Sequence, residues 1–169
     1  MTLAADLLAR AQAKRLLIAT AESCTGGLLA GAITDVAGSS AIFDRGFVTY
    51  TNAAKVAMLG VSARTLDRHG AVSEPVASEM AVGALRQSQA QLAVAITGIA
   101  GPGGSEHKPE GRVCFALATV GRVTVETIEF GAIGRAQVRG ASVERGLQML
   151  LDAVDLFALN NWAEGPKTD

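Results

Sequence analysis

The residues of this chain best suited to chemistry sit in Thr20-Ala-Glu-Ser-Cys-Thr-Gly-Gly27. An apolar run, Leu16-Leu-Ile-Ala19, comes just before, and Leu28-Leu-Ala-Gly-Ala-Ile33, which reads as a helix, comes just after. A strand that turns into a helix here sets Ser23 and Thr25 beside unpaired helix N–H groups. That partial positive charge suits a phosphate or a developing oxyanion. A hydroxyl held there is a nucleophile or ligand, or it simply caps the helix, the commonest job of such residues. A serine nucleophile needs a base, and the flanks Ala21 and Thr25 do not make the Gly-x-Ser-x-Gly elbow of hydrolases. The two histidines, His69 and His107, stand in no suggestive context.

Lysine is the remaining base. Lys55 follows Tyr50-Thr-Asn-Ala-Ala and precedes Val-Ala-Met-Leu, so it falls on the first turn of a short, otherwise apolar helix. Partial desolvation and helix N–H dipoles there would lower its pKa toward a useful base. The competing expectation is a lysine that snorkels to solvent. Tyr50, the chain's one tyrosine, could relay a proton, orient Lys55 or merely finish a strand.

Residues 98–111 form a loop with five glycines and two prolines, opening Thr97-Gly-Ile-Ala-Gly-Pro-Gly-Gly-Ser105. Such a loop is functional or disordered, and its glycines suit close backbone approach to a ligand. Its glycine order matches neither the P-loop nor Gly-x-Gly-x-x-Gly.

The elements that must position these loops follow from patterning. Thr2 caps a helix to about residue 13, followed by a strand over 15–20 and a helix from 28 to about 35. Alternation predicts a strand over 43–50, and Thr51 or Asn52 caps a short helix ended by Gly60. Ser62 starts another, closed by Gly70. Ser73-Glu74-Pro75 begins a helix reaching about residue 90. Residues 92–97, nearly all apolar, read as a central buried strand. Strands over 112–120 and 123–130 join through Gly121-Arg122 as a hairpin. A last helix runs from about 135 to 160, with Val143, Leu147, Leu150, Val154 and Phe157 on one stripe. The fold class is α/β: one domain over 1–162, a three-layer α/β/α sandwich with a mixed sheet, and a frayed tail over 163–169. Ligands gather at the carboxyl ends of strands in such sheets, where residues 22–27, 50–55 and 98–111 would meet.

Bulk properties narrow the functions. Of 169 residues, 49% are hydrophobic and 18% charged, which makes the chain globular. A net charge of −1 gives no electrostatic case for nucleic acid. Apolar runs too short for a span, and no signal-peptide pattern, predict a cytoplasmic protein off the membrane. Cys24 and Cys114 lack metal-ligand spacing, so no metal and no cofactor are expected. Small α/β enzymes with apolar surface often dimerise, which leaves a homodimer open.

Several segments together carry a resemblance: Ala21-Glu-Ser-Cys-Thr-Gly-Gly27, Tyr50-Thr-Asn-Ala-Ala-Lys55, Gly70-Ala-Val-Ser-Glu74, Met80-Ala-Val-Gly83 and Ala95-Ile-Thr-Gly-Ile-Ala-Gly-Pro-Gly-Gly104. In that order they resemble the CinA C-terminal domain family over essentially the whole chain. The family's characterised members are nicotinamide-nucleotide amidases. The resemblance implies a small nucleotide substrate, nicotinamide mononucleotide, hydrolysed to nicotinate mononucleotide and ammonia in pyridine-nucleotide salvage. Carried over by position, Ser23 would be the nucleophile, Lys55 the base and Tyr50 its helper, with Cys24 structural. Thr25, Gly26 and Gly27 would supply oxyanion donors. Thr97, Gly98, Gly101, Gly103 and Gly104 would lie against the nucleotide, and Arg135 and Arg139 would contact its phosphate. Glu22 would touch substrate, or activate water itself in a rival route. Glu110 departs from the family pattern, where an aliphatic residue is expected. The alternative function is a non-catalytic nucleotide-binding or competence-associated partner protein.

Overall fold

A computed structural model describes residues 1–105 and 107–157. Helix α1 (Leu3–Ala13) starts where the Thr2 hydroxyl accepts the Ala5 N–H. It ends in a turn whose N–H groups, those of Arg15 and Leu16, bond back to Gln12 and Ala11. Arg15 takes a positive φ of 56°. That reversal delays the first strand, so β1 covers Ile18–Glu22 instead of 15–20 and ends directly at Ser23. After α2 (Leu28–Thr34) come β2 (Phe43–Val48), α3 (Asn52–Leu59), α4 (Ala63–His69) and α5 (Glu74–Arg86). The caps at Thr51 and Ser73 are as the sequence predicts, each hydroxyl accepting an N–H three residues on.

Helix α5 stops four residues short of the expected 90. The segment beyond it is drawn into tertiary bonds: Gln91 accepts the Leu17 N–H, and the Gln89 N–H donates to Asp44. β3 (Leu92–Gly98), β4 (Arg112–Thr119) and β5 (Arg122–Glu129) follow, then α6 (Arg135–Leu156). Thr119 pairs with Arg122, so the hairpin turn is Val120-Gly121, one residue earlier than expected. The expected run of α6 over 158–160, and the tail over 163–169, lie outside the described residues.

The sheet order is β2-β1-β3-β4-β5, with the first three strands parallel and the last two antiparallel. Alternation gives the sheet two unlike faces. Ile18, Leu92, Val94, Ile96, Val113 and Phe115 pack under α1, α2 and α6. Ala19, Ala21, Ala93, Ala95, Ala116 and Ala118 form the opposite face, against α3, α4 and α5. Alanines let that second helical layer approach closely, as dense packing of small side chains requires. Helix α5 lies directly on this alanine face, and α3 packs on α5, with Lys55 in its first turn reaching Ser23 at the end of β1. The fold is the expected three-layer α/β sandwich with a mixed sheet.

Candidate active site

Three parallel strands, β2, β1 and β3, end at the same edge, which brings their following segments together. The Ser23 N–H still donates to Ile96 of β3 (2.9 Å), so sheet pairing holds the serine one residue beyond the strand. The chain then folds back: the Gly26 N–H donates to the Ser23 carbonyl (3.0 Å), and Gly27 enters α2 at φ 102°. An L side chain at Gly27 would be strained whatever space surrounds it.

Lys55 comes from the first turn of α3, 1% exposed, and is among the largest fully buried side chains. Its Nζ lies 3.0 Å from Ser23 Oγ, 2.8 Å from the Thr49 carbonyl and 3.5 Å from the Tyr50 carbonyl. Burial pulls the amine pKa down to about 8. About one molecule in ten is then neutral at pH 7, against almost none for a free lysine. In the neutral amine two N–H groups are met by the two carbonyls, and the lone pair is left for the serine proton. The lysine does not snorkel.

Around this pair a cavity of about 340 Å³ opens, within the range of small-molecule sites. Ser23, Tyr50, Lys55, Thr97, Gly98, Gly101, Gly103, Gly104 and Arg135 line it, as does Cys24. Asn52, Ala71, Val72 and Lys108 line it too and were not singled out from the sequence. Lys108 had a signal in hindsight, being the one lysine of the glycine-rich loop. Its Nζ donates to the His69 and Val72 carbonyls (2.6 Å each) and ties that loop to the turn before α5. Among the described residues the lining holds three cationic side chains, Lys55, Lys108 and Arg135, and no carboxylate. The site therefore favours an anionic ligand.

Other expected residues are nearby but otherwise engaged. The buried Glu22 carboxylate accepts the N–H groups of Leu29 (2.8 Å) and Ala30 (3.0 Å), serving as the cap that Gly27 lacks. Glu22, Thr25, Gly26, Gly27 and Arg139 are outside the cavity lining. Arg139 donates to the Cys24 (3.0 Å) and Thr25 (3.3 Å) carbonyls. The Thr97 hydroxyl is spent on the Ala71 carbonyl (2.9 Å). Tyr50 presents its hydroxyl to Arg135 (2.9 Å) and not to Lys55, and Arg135 also holds the Gly101 carbonyl (2.7 Å). Glu110 gains a place: its side chain fills the space a Cβ on Gly101 would need. Burial pushes the Cys24 thiol up to about 11, so it stays protonated and is a poor nucleophile. Among the described residues no three His, Cys, Asp or Glu side chains converge as a metal site, and no helix is long and apolar enough to cross a membrane.

Residues 1–154 match the family described as the CinA C-terminal domain. The chain is 54% identical over 140 residues to the nicotinamide-nucleotide amidohydrolase PncC of Escherichia coli K12, covering 82% of this chain and 85% of that one. It is 52% identical over 151 residues to the protein of the same name from Enterobacter agglomerans, covering 88% and 92%. A crystal structure of the competence/damage inducible protein CihA from Agrobacterium tumefaciens superposes with a TM-score of 0.87 at 52% identity, covering 90% of this chain and 93% of that chain.

Proposed function

The chain belongs to the CinA C-terminal domain family, and from that premise we propose that it is a nicotinamide-nucleotide amidohydrolase using Ser23 as nucleophile. It converts nicotinamide mononucleotide and water to nicotinate mononucleotide and ammonia, a step of pyridine-nucleotide salvage. The observation that carries the mechanism is the buried Lys55 amine 3.0 Å from Ser23 Oγ, in a cavity lined also by Arg135 and Lys108.

In the first half-reaction, neutral Lys55 takes the Ser23 proton as Oγ bonds to the carboxamide carbon. The substrate's pyridinium ring withdraws electrons from that carbon. The tetrahedral oxyanion is met by backbone N–H groups of the serine turn, and a donor of this kind is worth about 3 kcal/mol of barrier. As the C–N bond breaks, the Lys55 ammonium returns its proton to the leaving amine, which departs as ammonia. The ester on Ser23 is then cleaved by water, whose proton passes through Lys55 back to the serine oxygen. Tyr50 helps through its carbonyl, which faces the amine, while its hydroxyl accepts from Arg135, and both side chains line the cavity. Arg135 and Lys108 supply the positive charge for the phosphate.

The test is direct. Incubation with nicotinamide mononucleotide should yield one ammonia per nicotinate mononucleotide formed. No ammonia from folded protein would overturn the reading and leave the binding-protein alternative.

A further inference from the structure

We propose that Arg139 is a positioning residue for the oxyanion donors, acting on the serine turn from behind instead of holding the substrate's phosphate. The inference rests on the acyl-transfer reading above and concerns which N–H groups meet the developing charge.

The start of α2 looks like the natural oxyanion site, but the N–H groups of its first helical residues are spent. Leu29 and Ala30 donate to Glu22, and Leu28 donates to the Thr25 carbonyl (3.0 Å). Gly26 donates to the Ser23 carbonyl, and Ser23 itself donates to Ile96. In the turn, the N–H groups of Cys24, Thr25 and Gly27 find no acceptor among the described residues. In α/β-hydrolases the N–H of the residue after the nucleophile is one oxyanion donor, and the corresponding group here is that of Cys24.

Arg139 fixes how this turn is presented. It reaches from α6, 115 residues away, and its Nε and Nη2 take the carbonyls of Cys24 and Thr25. Among the described residues no carboxylate lies within ion-pair distance of it, so these two carbonyls are its binding partners. In a trans peptide the C=O and the following N–H point in opposite directions. Holding the Cys24 carbonyl toward the guanidinium therefore turns the Thr25 N–H the other way. A cation on the carbonyl also polarises the peptide unit, which makes that N–H a stronger donor. Arg139 is half-buried and absent from the cavity lining, whereas Arg135, one helical turn earlier, lines it. The two arginines thus divide the labour: Arg135 borders the cavity, and Arg139 holds the carbonyls of the serine turn.

The experiment measures kcat for Arg139→Met and Arg139→Gln, together with the Kd for nicotinamide mononucleotide of each change placed in a Ser23→Ala background. Losing one oxyanion donor costs about 100- to 1000-fold in kcat. A group acting through the donor should cost less, so Arg139→Met is expected to lower kcat by roughly 10- to 100-fold. Kd should stay within about twofold, and the melting temperature should shift little. Arg139→Gln keeps one donor without the charge and should fall in between, and it decides the matter alone if the methionine variant does not fold. A Kd raised tenfold with kcat near wild type would overturn the proposal in favour of a phosphate contact. Unchanged kcat and Kd would overturn it as well. An inactive wild-type protein would instead remove the acyl-transfer reading underneath.

Discussion

At the scale of single residues, Lys55 decides the behaviour. Its amine must be neutral to accept the serine proton, and burial sets that transition near pH 8. Hence kcat/KM should rise about tenfold per pH unit below 8 and level off above it. A pH–rate profile checks this, and a flat profile from pH 6 to 9 would contradict it. The same burial costs stability. The folded pKa lies below that of the unfolded chain, so below about pH 8 the protein carries the full penalty of burying a charge. That penalty fades as pH rises toward the free-lysine value. Lys55→Met should therefore be inactive yet more stable at pH 7, by on the order of 1 to 2 kcal/mol after loss of the amine's hydrogen bonds. Thermal melts at pH 7 should show a rise of a few degrees.

At the scale of elements, the serine turn is held by two charged side chains that the sequence offers as substrate contacts. Glu22 closes the front of α2, and Arg139 holds the carbonyls behind it. Glu22→Ala would leave two N–H groups at a buried helix start without an acceptor. It should destabilise the fold by about 2 kcal/mol, read by denaturant unfolding. A variant as stable as the wild type would mean the cap does not matter. The motif Glu-Ser-Cys-Thr-Gly-Gly was legible in sequence because strand and helix flank it locally. The jobs of Glu22 and Arg139 were not, because each depends on which backbone groups tertiary packing leaves open. Strand β1 likewise began three residues later than the expected start at 15, since Arg15 reverses the chain out of α1 before pairing can begin.

At the scale of the whole molecule, two unlike faces of one sheet make the site. Bulky side chains on one face seat α6, and alanines on the other admit α5, on which α3 packs and buries its lysine beside a strand end. Helical and strand periods made this layering readable from sequence, and the gathering of three loops followed from the general rule for parallel strands. The cationic character of the cavity's described lining was not readable, because the chain as a whole is nearly neutral. The alcohol and the amine that meet there are 32 positions apart. The most direct measurement of that convergence is ammonia release by Ser23→Ala, in a preparation whose melting temperature and nucleotide Kd match the wild type. Removing a nucleophile from such a unit costs about a millionfold in a well-studied serine hydrolase, so turnover should drop by at least about 10,000-fold. Release within tenfold of wild type would mean that the serine oxygen is not what attacks the amide.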